Sequence, residues 1–277
     1  MNSKNTFVLT LTSAEAEWIL YQLQAPTTRL FPFPFDDEPA GKVHQLLDTA
    51  QDALLKRGWI ETQSDGNVIL DMTVAGIVGA LGFAKTALFV DLFREQDNKP
   101  QVHRYFSAEG LLVEQAGNAN NEIVLTAIRD FRTLRERLEE YLGLKNQTVP
   151  RKGMFRCDPT AFADIPYILA GDGESAAIAQ LVEIGADEHF AADLISAMNA
   201  PVQQATLQVV HLDTEQPEGV RLTGKLNLLE GVYGLWALRS QLGGAVPLLE
   251  IMPCNAEHAR ELVDTLLGTF IACNGET

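Results

Sequence analysis

Residues 74–92, VAGIVGALGFAKTALFVDL, contain the transition that decides the fold. The apolar residues from about Thr73 to Leu81 keep helical spacing, and an extended apolar run begins near Thr86. Residues 191–211, AADLISAMNAPVQQATLQVVH, show the same helix-to-strand transition, with Leu81 corresponding to Met198 at an offset of 117 residues. The pair of segments indicates an internal repeat.

The repeat extends outward on both sides of these segments. The strand at 110–112 corresponds to 234–236, the strand at 123–128 to 246–251, and the helix ending at Gly143 to the helix at 255–267. The offset drifts only to 125 residues, as insertions in loops would make it. We therefore predict an α+β fold with two quasi-repeated halves, each a helix, an antiparallel strand meander and a helix. A pseudo-twofold axis would relate the halves around a central antiparallel sheet.

The first half begins with a strand that leads into a helix capped by Thr12 or Ser13. A helix at 41–57, strands near Trp59 and at 68–70, and the SDGN turn between them resemble a winged helix. The polar segment KNQTVPRKG at 145–153 predicts a linker between domains at 1–144 and 154–277.

Composition narrows the class of protein. The chain has 277 residues, 46% of them hydrophobic, which is sufficient for a large core. With 21 basic and 37 acidic residues the net charge is −16, which disfavours nucleic acid as a partner. No apolar window reaches the roughly 18 residues that cross a membrane, and residues 1–10 lack a secretory signal, so a cytoplasmic location is expected.

No catalytic or metal-binding pattern stands out, so we predict a non-enzymatic protein without cofactor or metal. The run GALGFAKT at 79–86 has Ala84 where a phosphate loop needs glycine. Cys254 and His258 are too few to hold a metal ion. Two alternatives stay open: an enzyme or small-ligand binder using scattered residues, and a regulatory winged-helix protein. The first would use Asp36, Asp37, His103 and Arg104. The winged-helix alternative has few basic residues with which to bind DNA.

Two aromatic segments are candidates for binding a protein partner. Phe31, Phe33 and Phe35 alternate with prolines in an extended loop, and exposed aromatic residues often mark interfaces. Residues 226–239, LNLLEGVYGLWALR, exceed one strand and must turn at Gly231 or Gly234. Tyr233 and Trp236 in this segment are of the types enriched in binding hot spots. In both segments the aromatic side chains either contact a partner or pack against the protein itself.

The sequence resembles the EspG family, the cytosolic chaperones of type VII (ESX) secretion. The resemblance rests on FVLTLTSAEAEWIL, ALLKRGWI with its SDGN turn, RYFSAEGLLVEQ, and EIVLTAI leading into RDFRTLRERLEEYLGL. It implies a pseudo-twofold α+β domain that holds the apolar tip of a helical PE–PPE secretion substrate and keeps it soluble. The proline-rich loop at 25–39 and the absence of a second copy of strand 59–60 depart from this pattern. The identity of the client therefore stays open.

Overall fold

The structure is a computed structural model that describes residues 7–26, 30, 39–97, 99–117, 122–144, 153–212, 219–232, 234–242 and 247–273. The elements up to residue 144 are, in chain order, β1 (Val8–Leu11), α1 (Ser13–Gln22), α2 (Ala40–Lys56), β2 (Ile60–Thr62), β3 (Val68–Leu70), α3 (Met72–Phe83), β4 (Thr86–Arg94), β5 (Gln101–Ala108), β6 (Leu111–Gly117), β7 (Ile123–Ile128) and α4 (Phe131–Leu142). The later elements are β8 (Phe155–Cys157), α5 (Pro159–Ala163), α6 (Ile165–Asp172), α7 (Glu174–Glu183), α8 (Glu188–Asn199), β9 (Gln203–Leu212), β10 (Val220–Gly231), β11 (Gly234–Gln241), β12 (Leu248–Cys254) and α9 (Ala256–Cys273).

Local side-chain chemistry explains where several helices begin. Thr12 and Glu15 form a capping box at the start of α1, because the Glu15 amide donates to Thr12 Oγ1 and the Thr12 amide donates to the Glu15 carboxylate. Asp71 and Asp187 accept the first free amides of α3 and α8. These caps satisfy backbone donors that a helix cannot pair internally.

The β-strands other than the β2–β3 hairpin form one sheet in the order β1-β7-β6-β5-β4-β9-β10-β11-β12-β8. The pairings β5–β6, β6–β7, β10–β11 and β11–β12 are antiparallel and join consecutive strands. The short strand β1 pairs antiparallel with β7, and β8 pairs antiparallel with β12. The α+β class with a large antiparallel sheet is therefore confirmed.

The chain forms two compact units. The first comprises Met1–Leu88, His103–Leu134 and His211–Arg221. In it α1 packs against α2 and α3, and α3 also packs on β6 and β7. A side chain at Gly82 would lie 2.6 Å from Leu20 Cδ2, so glycine permits the close approach of α3 to α1.

The second unit comprises Phe89–Val102, Arg135–Val210 and Leu222–Thr277. Strand β10 shows how its sheet is covered on both faces, because consecutive side chains of a strand point to opposite faces. At Gly224 an added Cβ would meet Leu266 of α9, whereas at Gly231 it would meet Ala197 of α8. One face therefore packs on α9. The other packs on α5–α8 in a core that includes Ile165, Leu181, Leu194, Leu229, Trp236, Leu238 and Ile251.

The turn predicted between residues 226 and 239 is confirmed. The turn expected in 226–239 lies between Gly231, which ends β10, and Gly234, which begins β11. Among the described residues, no helix combines the length and apolar composition that crossing a bilayer requires. The sequence reading assigned no elements to 154–190, where the structure has β8 and α5–α7.

Two predictions about organisation are not decided by the fold. The predicted linker at 145–153 lies outside the described residues apart from Gly153, so the domain division stays a prediction. The internal duplication also stays a prediction. The order of elements does recur, since in each half an edge strand precedes helices, a four-strand meander and a final helix.

Candidate functional site

A groove of about 510 Å³ opens in the second unit between helices and one face of the sheet. Its helical walls come from α5, α6 and α8 and consist of Phe162, Pro166, Leu169, Ala170, Met198 and Asn199. Its floor comes from β9, β10 and β11 and consists of Gln204, Thr206, Lys225, Asn227, Leu229 and Leu238. The walls are mostly apolar, while the floor mixes amides, a hydroxyl and one ammonium group.

Strand alternation explains the mixed floor. Lys225, Asn227 and Leu229 on β10 are two residues apart and share the face toward the groove. Leu226 and Leu228 between them are 1% and 2% exposed on the opposite face. The groove therefore lies on the sheet face that α5–α8 cover only in part.

Some polar side chains of the groove have hydrogen-bond partners within the protein and others have none among the described residues. Thr206 Oγ1 donates to Asn227 Oδ1 at 2.9 Å, and Asn199 Nδ2 donates to Glu174 Oε1 at 2.7 Å on the rim. Lys225 and Gln204 have no hydrogen-bond or ion-pair partner in the part of the chain that the structure describes. The groove thus presents donors that a bound molecule can use.

The groove side chains offer a ligand both apolar and polar contacts. Among the described residues that line the groove there is no cysteine, serine, histidine or carboxylate. Within the described ranges no group of three or more His, Cys, Asp or Glu side chains is arranged to hold a metal ion. What the groove offers a ligand is apolar surface and hydrogen-bond donors.

Of the residues predicted from sequence as a partner site, only Trp236 is among the described residues. Phe31, Phe33, Phe35 and Tyr233 lie outside the described residues. Trp236 is 3% exposed and packs edge-to-face on Phe190 of α8, with ring centroids 5.1 Å apart. In this structure Trp236 packs in the core beneath α8, and the partner contact predicted for it stays a prediction.

The scattered enzyme site finds no support in the described residues. Asp36 and Asp37 lie outside them. His103 and Arg104 are consecutive in β5, so their side chains leave opposite faces of the strand. His103 Nδ1 lies 2.7 Å from Glu114 Oε1, which also accepts a hydrogen bond from Tyr105 Oη at 3.1 Å. His103 and Arg104 therefore do not converge on one site.

Glu250 of β12 is a buried carboxylate whose contacts are all internal. Its side chain is 2% exposed and accepts hydrogen bonds from Arg156 at 3.0 Å and from Arg239 at 2.7 Å. Burial by itself raises the pKa of Glu250, but hydrogen bonds from Arg156, Gln241 and Arg239 outweigh it and lower the pKa below 4.5.

Burial also raises the pKa of Cys157 to about 11 and that of Cys254 to about 12. The two thiols are therefore unreactive at neutral pH.

The groove was not predicted from the sequence, because the residues that line it are far apart in the chain. One local signal was present. In the run KLNLL at 225–229, polar Lys225 and Asn227 alternate with Leu226 and Leu228, which are buried. Such alternation in an inner strand indicates that one face of the strand is not fully covered.

The fold and the groove define an α+β protein with a large antiparallel sheet and a partly covered sheet face. No protein-family model matches the chain, and no curated protein matches it. The structure is similar to that of the Mycobacterium tuberculosis type VII secretion system chaperone EspG5 in complex with a PE25–PPE41 dimer, with a TM-score of 0.67. The match covers 95% of this chain and 97% of that chain at 13% sequence identity. At this identity the two proteins share a fold.

Proposed function

We propose that this protein is a non-enzymatic, cytoplasmic chaperone of the EspG type that binds an apolar helical client. The support is the shared fold over nearly the whole of both chains, together with the fact that the neighbour was solved with a protein dimer bound. The motifs that resemble the EspG family in the sequence point the same way. The client of this chain is proposed to be a helical secretion substrate.

The observation that carries the proposal is the groove on the second unit. Leu169 and Met198 on its walls are partly exposed, and Pro166 and Ala170 are more open still. Burial of such apolar surface by a partner is favourable, at about 25 cal/mol for each Å² removed from water. A client helix end would bury its own apolar residues in the same step, which is how a chaperone keeps such a client in solution.

The aromatic segments remain part of this proposal. Phe31, Phe33 and Phe35 are proposed as a second contact to the client, because proline limits the conformational entropy that binding would cost. Tyr233, between β10 and β11, is proposed as a further contact. Trp236 would reach a client only if α8 moved.

A charge placed in the groove tests the proposal. Ala170 is an exposed wall residue of α6, so Ala170→Glu leaves the core intact and blocks the groove with a charged side chain. Ala272→Glu is the matched control, because Ala272 is exposed on α9 and does not line the groove. Tagged wild-type protein and both variants would be purified from the cytosol of the native host. Bound proteins would then be quantified by mass spectrometry.

We expect a helical client to be recovered with the wild type and with Ala272→Glu. The amount recovered with Ala170→Glu should be at least tenfold lower. Recovery that is equal with all three proteins would contradict the groove as the client site. Circular dichroism of each variant confirms that the fold is unchanged.

A small-ligand binder is the second candidate, because 510 Å³ is within the usual volume range of small-molecule sites. Native mass spectrometry of the purified protein distinguishes the two functions. A small molecule retained by the wild type and lost from Ala170→Glu would favour this alternative.

A further inference from the structure

Lys225 is the only charged residue among those that line the groove, and its ammonium group has no acidic partner in the described part of the chain. Asn227, two residues along the same face of β10, uses its Oδ1 to accept the bond from Thr206. The Asn227 amide nitrogen has no hydrogen-bond acceptor among the described residues. The floor therefore presents a positive charge and an amide donor side by side, and none of the described residues supplies either with an acceptor.

This arrangement contrasts with that of three other cations in the second unit. Arg239 and Arg156 both bond to Glu250, and Arg135 pairs with Asp264 at 2.7 Å. Acidic residues outnumber basic ones by 37 to 21, so partners for a cation are abundant in this chain. Lys225 lines a recess in which no acidic side chain of the described ranges pairs with it.

Binding of a purely apolar client would carry a free-energy penalty at Lys225. Covering the groove removes water from the ammonium group, and the penalty for an unpaired charge in that position is several kcal/mol. A carboxylate on the client restores a partner and also accepts from the neighbouring amide. This pairing would also make binding selective for acidic clients, because a client end without a charge would leave Lys225 without a partner.

Building on the proposed function, we infer that the client end that enters the groove carries an Asp or Glu side chain beside its apolar residues, and that Lys225 binds this carboxylate. Lys225 is then a specificity-determining residue of the groove. Its partner is an acidic side chain of the client.

A displayed library of helical hairpins, randomised at the residues of the turn, provides the probe. The full-length protein would be used to select binders, and only binders lost with Ala170→Glu and kept with Ala272→Glu would be counted as groove-dependent. The same selection would be run with Lys225→Met, which keeps the apolar stem, and with Lys225→Glu. Since Lys225 has no described internal partner, both variants should retain the unfolding midpoint of the wild type.

We expect Asp or Glu to be enriched at one turn position with the wild type, no such enrichment with Lys225→Met, and Lys or Arg at that position with Lys225→Glu. An individual acidic binder should lose roughly 30-fold or more in affinity for Lys225→Met. Replacing its acid by Asn or Gln should cause a similar loss for the wild type.

Groove-dependent binders without acidic enrichment would overturn the role of Lys225 and leave the proposed function standing. Binders that depend on Lys225 but carry no acid would bind it through the carbonyls of a helix end, which would also overturn the inference. If the library yields no groove-dependent binder, the inference and the proposed client site both fail.

Discussion

The carboxylate of Glu250 shows how a single residue stabilises the second unit. It is 2% exposed and is bonded by Arg156 and Arg239, so Glu250→Gln removes two charge-assisted hydrogen bonds. We expect the variant to lose about 1–3 kcal/mol of unfolding free energy at pH 7, measured by urea denaturation. Glu139→Gln is the control, because the Arg135–Glu139 pair is exposed on α4 and should contribute at most about 0.5 kcal/mol.

The pH dependence of this effect has a definite sign. The pKa of Glu250 in the folded protein is lower than the ordinary value of 4.5, so the folded state favours the ionised form. The stabilisation is complete above pH 4.5 and is lost as the pH falls through the folded pKa. The difference in unfolding free energy between wild type and Glu250→Gln should therefore shrink below pH 4.5. A difference that stays constant down to acid unfolding would contradict this account.

Two glycines show how closely the elements pack in the second unit. A Cβ at Gly231 in β10 would lie 2.8 Å from Ala197 Cβ and 2.9 Å from its Cα, and the backbone of α8 cannot move aside as a flexible side chain would. We expect Gly231→Ala to destabilise the protein by about 1–3 kcal/mol. Gly171→Ala in α6 meets nothing within 4 Å and should stabilise by up to about 1 kcal/mol. Urea unfolding of both variants measures the contrast. Equal changes in unfolding free energy for the two variants would show that the contact with Ala197 does not destabilise Gly231→Ala.

The elements that sequence reasoning predicted well are those with a clear period. The helix predicted at 41–57 is Ala40–Lys56, and the strand predicted at 86–93 is Thr86–Arg94. Helices α5, α6 and α7 have only five to ten residues, and Asp164 ends α5 and directly precedes α6. The chain between α6 and α7 turns at Gly173 with a φ of 87°. Helices this short give no sustained 3.6-residue pattern, so the part of the groove wall that α5 and α6 supply was not predictable from the sequence.

At the scale of the whole molecule, the two halves differ in the elements between the edge strand and the meander. The edge strand, the four-strand meander and the final helix occur in both halves, with the edge strand paired to the last strand of its meander. Between edge strand and meander, the first half has α1, α2, the β2–β3 hairpin and α3, and the second half has α5–α8. Met198, Asn199, Gln204 and Thr206 of the groove lie in 191–211, the segment predicted to repeat 74–92, whereas Phe162, Pro166, Leu169 and Ala170 lie in α5 and α6, for which no repeat is predicted. If the halves arose by duplication, the groove combines a repeated segment with one that has no counterpart in the first half.

Each of the two compact units contains residues from both sides of 145–153, where the domain division is predicted. The second unit includes Phe89–Val102, and the first unit includes His211–Arg221. Within the second unit, Arg94 Nε donates to Gln203 Oε1 at 3.1 Å and Arg94 Nη2 donates to the Tyr141 carbonyl at 2.6 Å. Within the first unit, the Leu212 amide donates to the Lys85 carbonyl at 2.7 Å. Each unit thus needs chain from both sides of the predicted linker.

A protease site inserted into 145–152 tests this dependence directly. Because each fragment would lack a segment of its own unit, we expect neither to fold alone, whereas the cleaved protein should elute as one species and unfold in a single transition. Mixing separately purified fragments should restore the circular dichroism spectrum of the intact chain, because the missing segments are then supplied. An uncut chain with the same insertion is the control for the insertion itself. Two fragments that each fold independently, with the stability of the intact chain, would instead support the domain division that the linker sequence predicts.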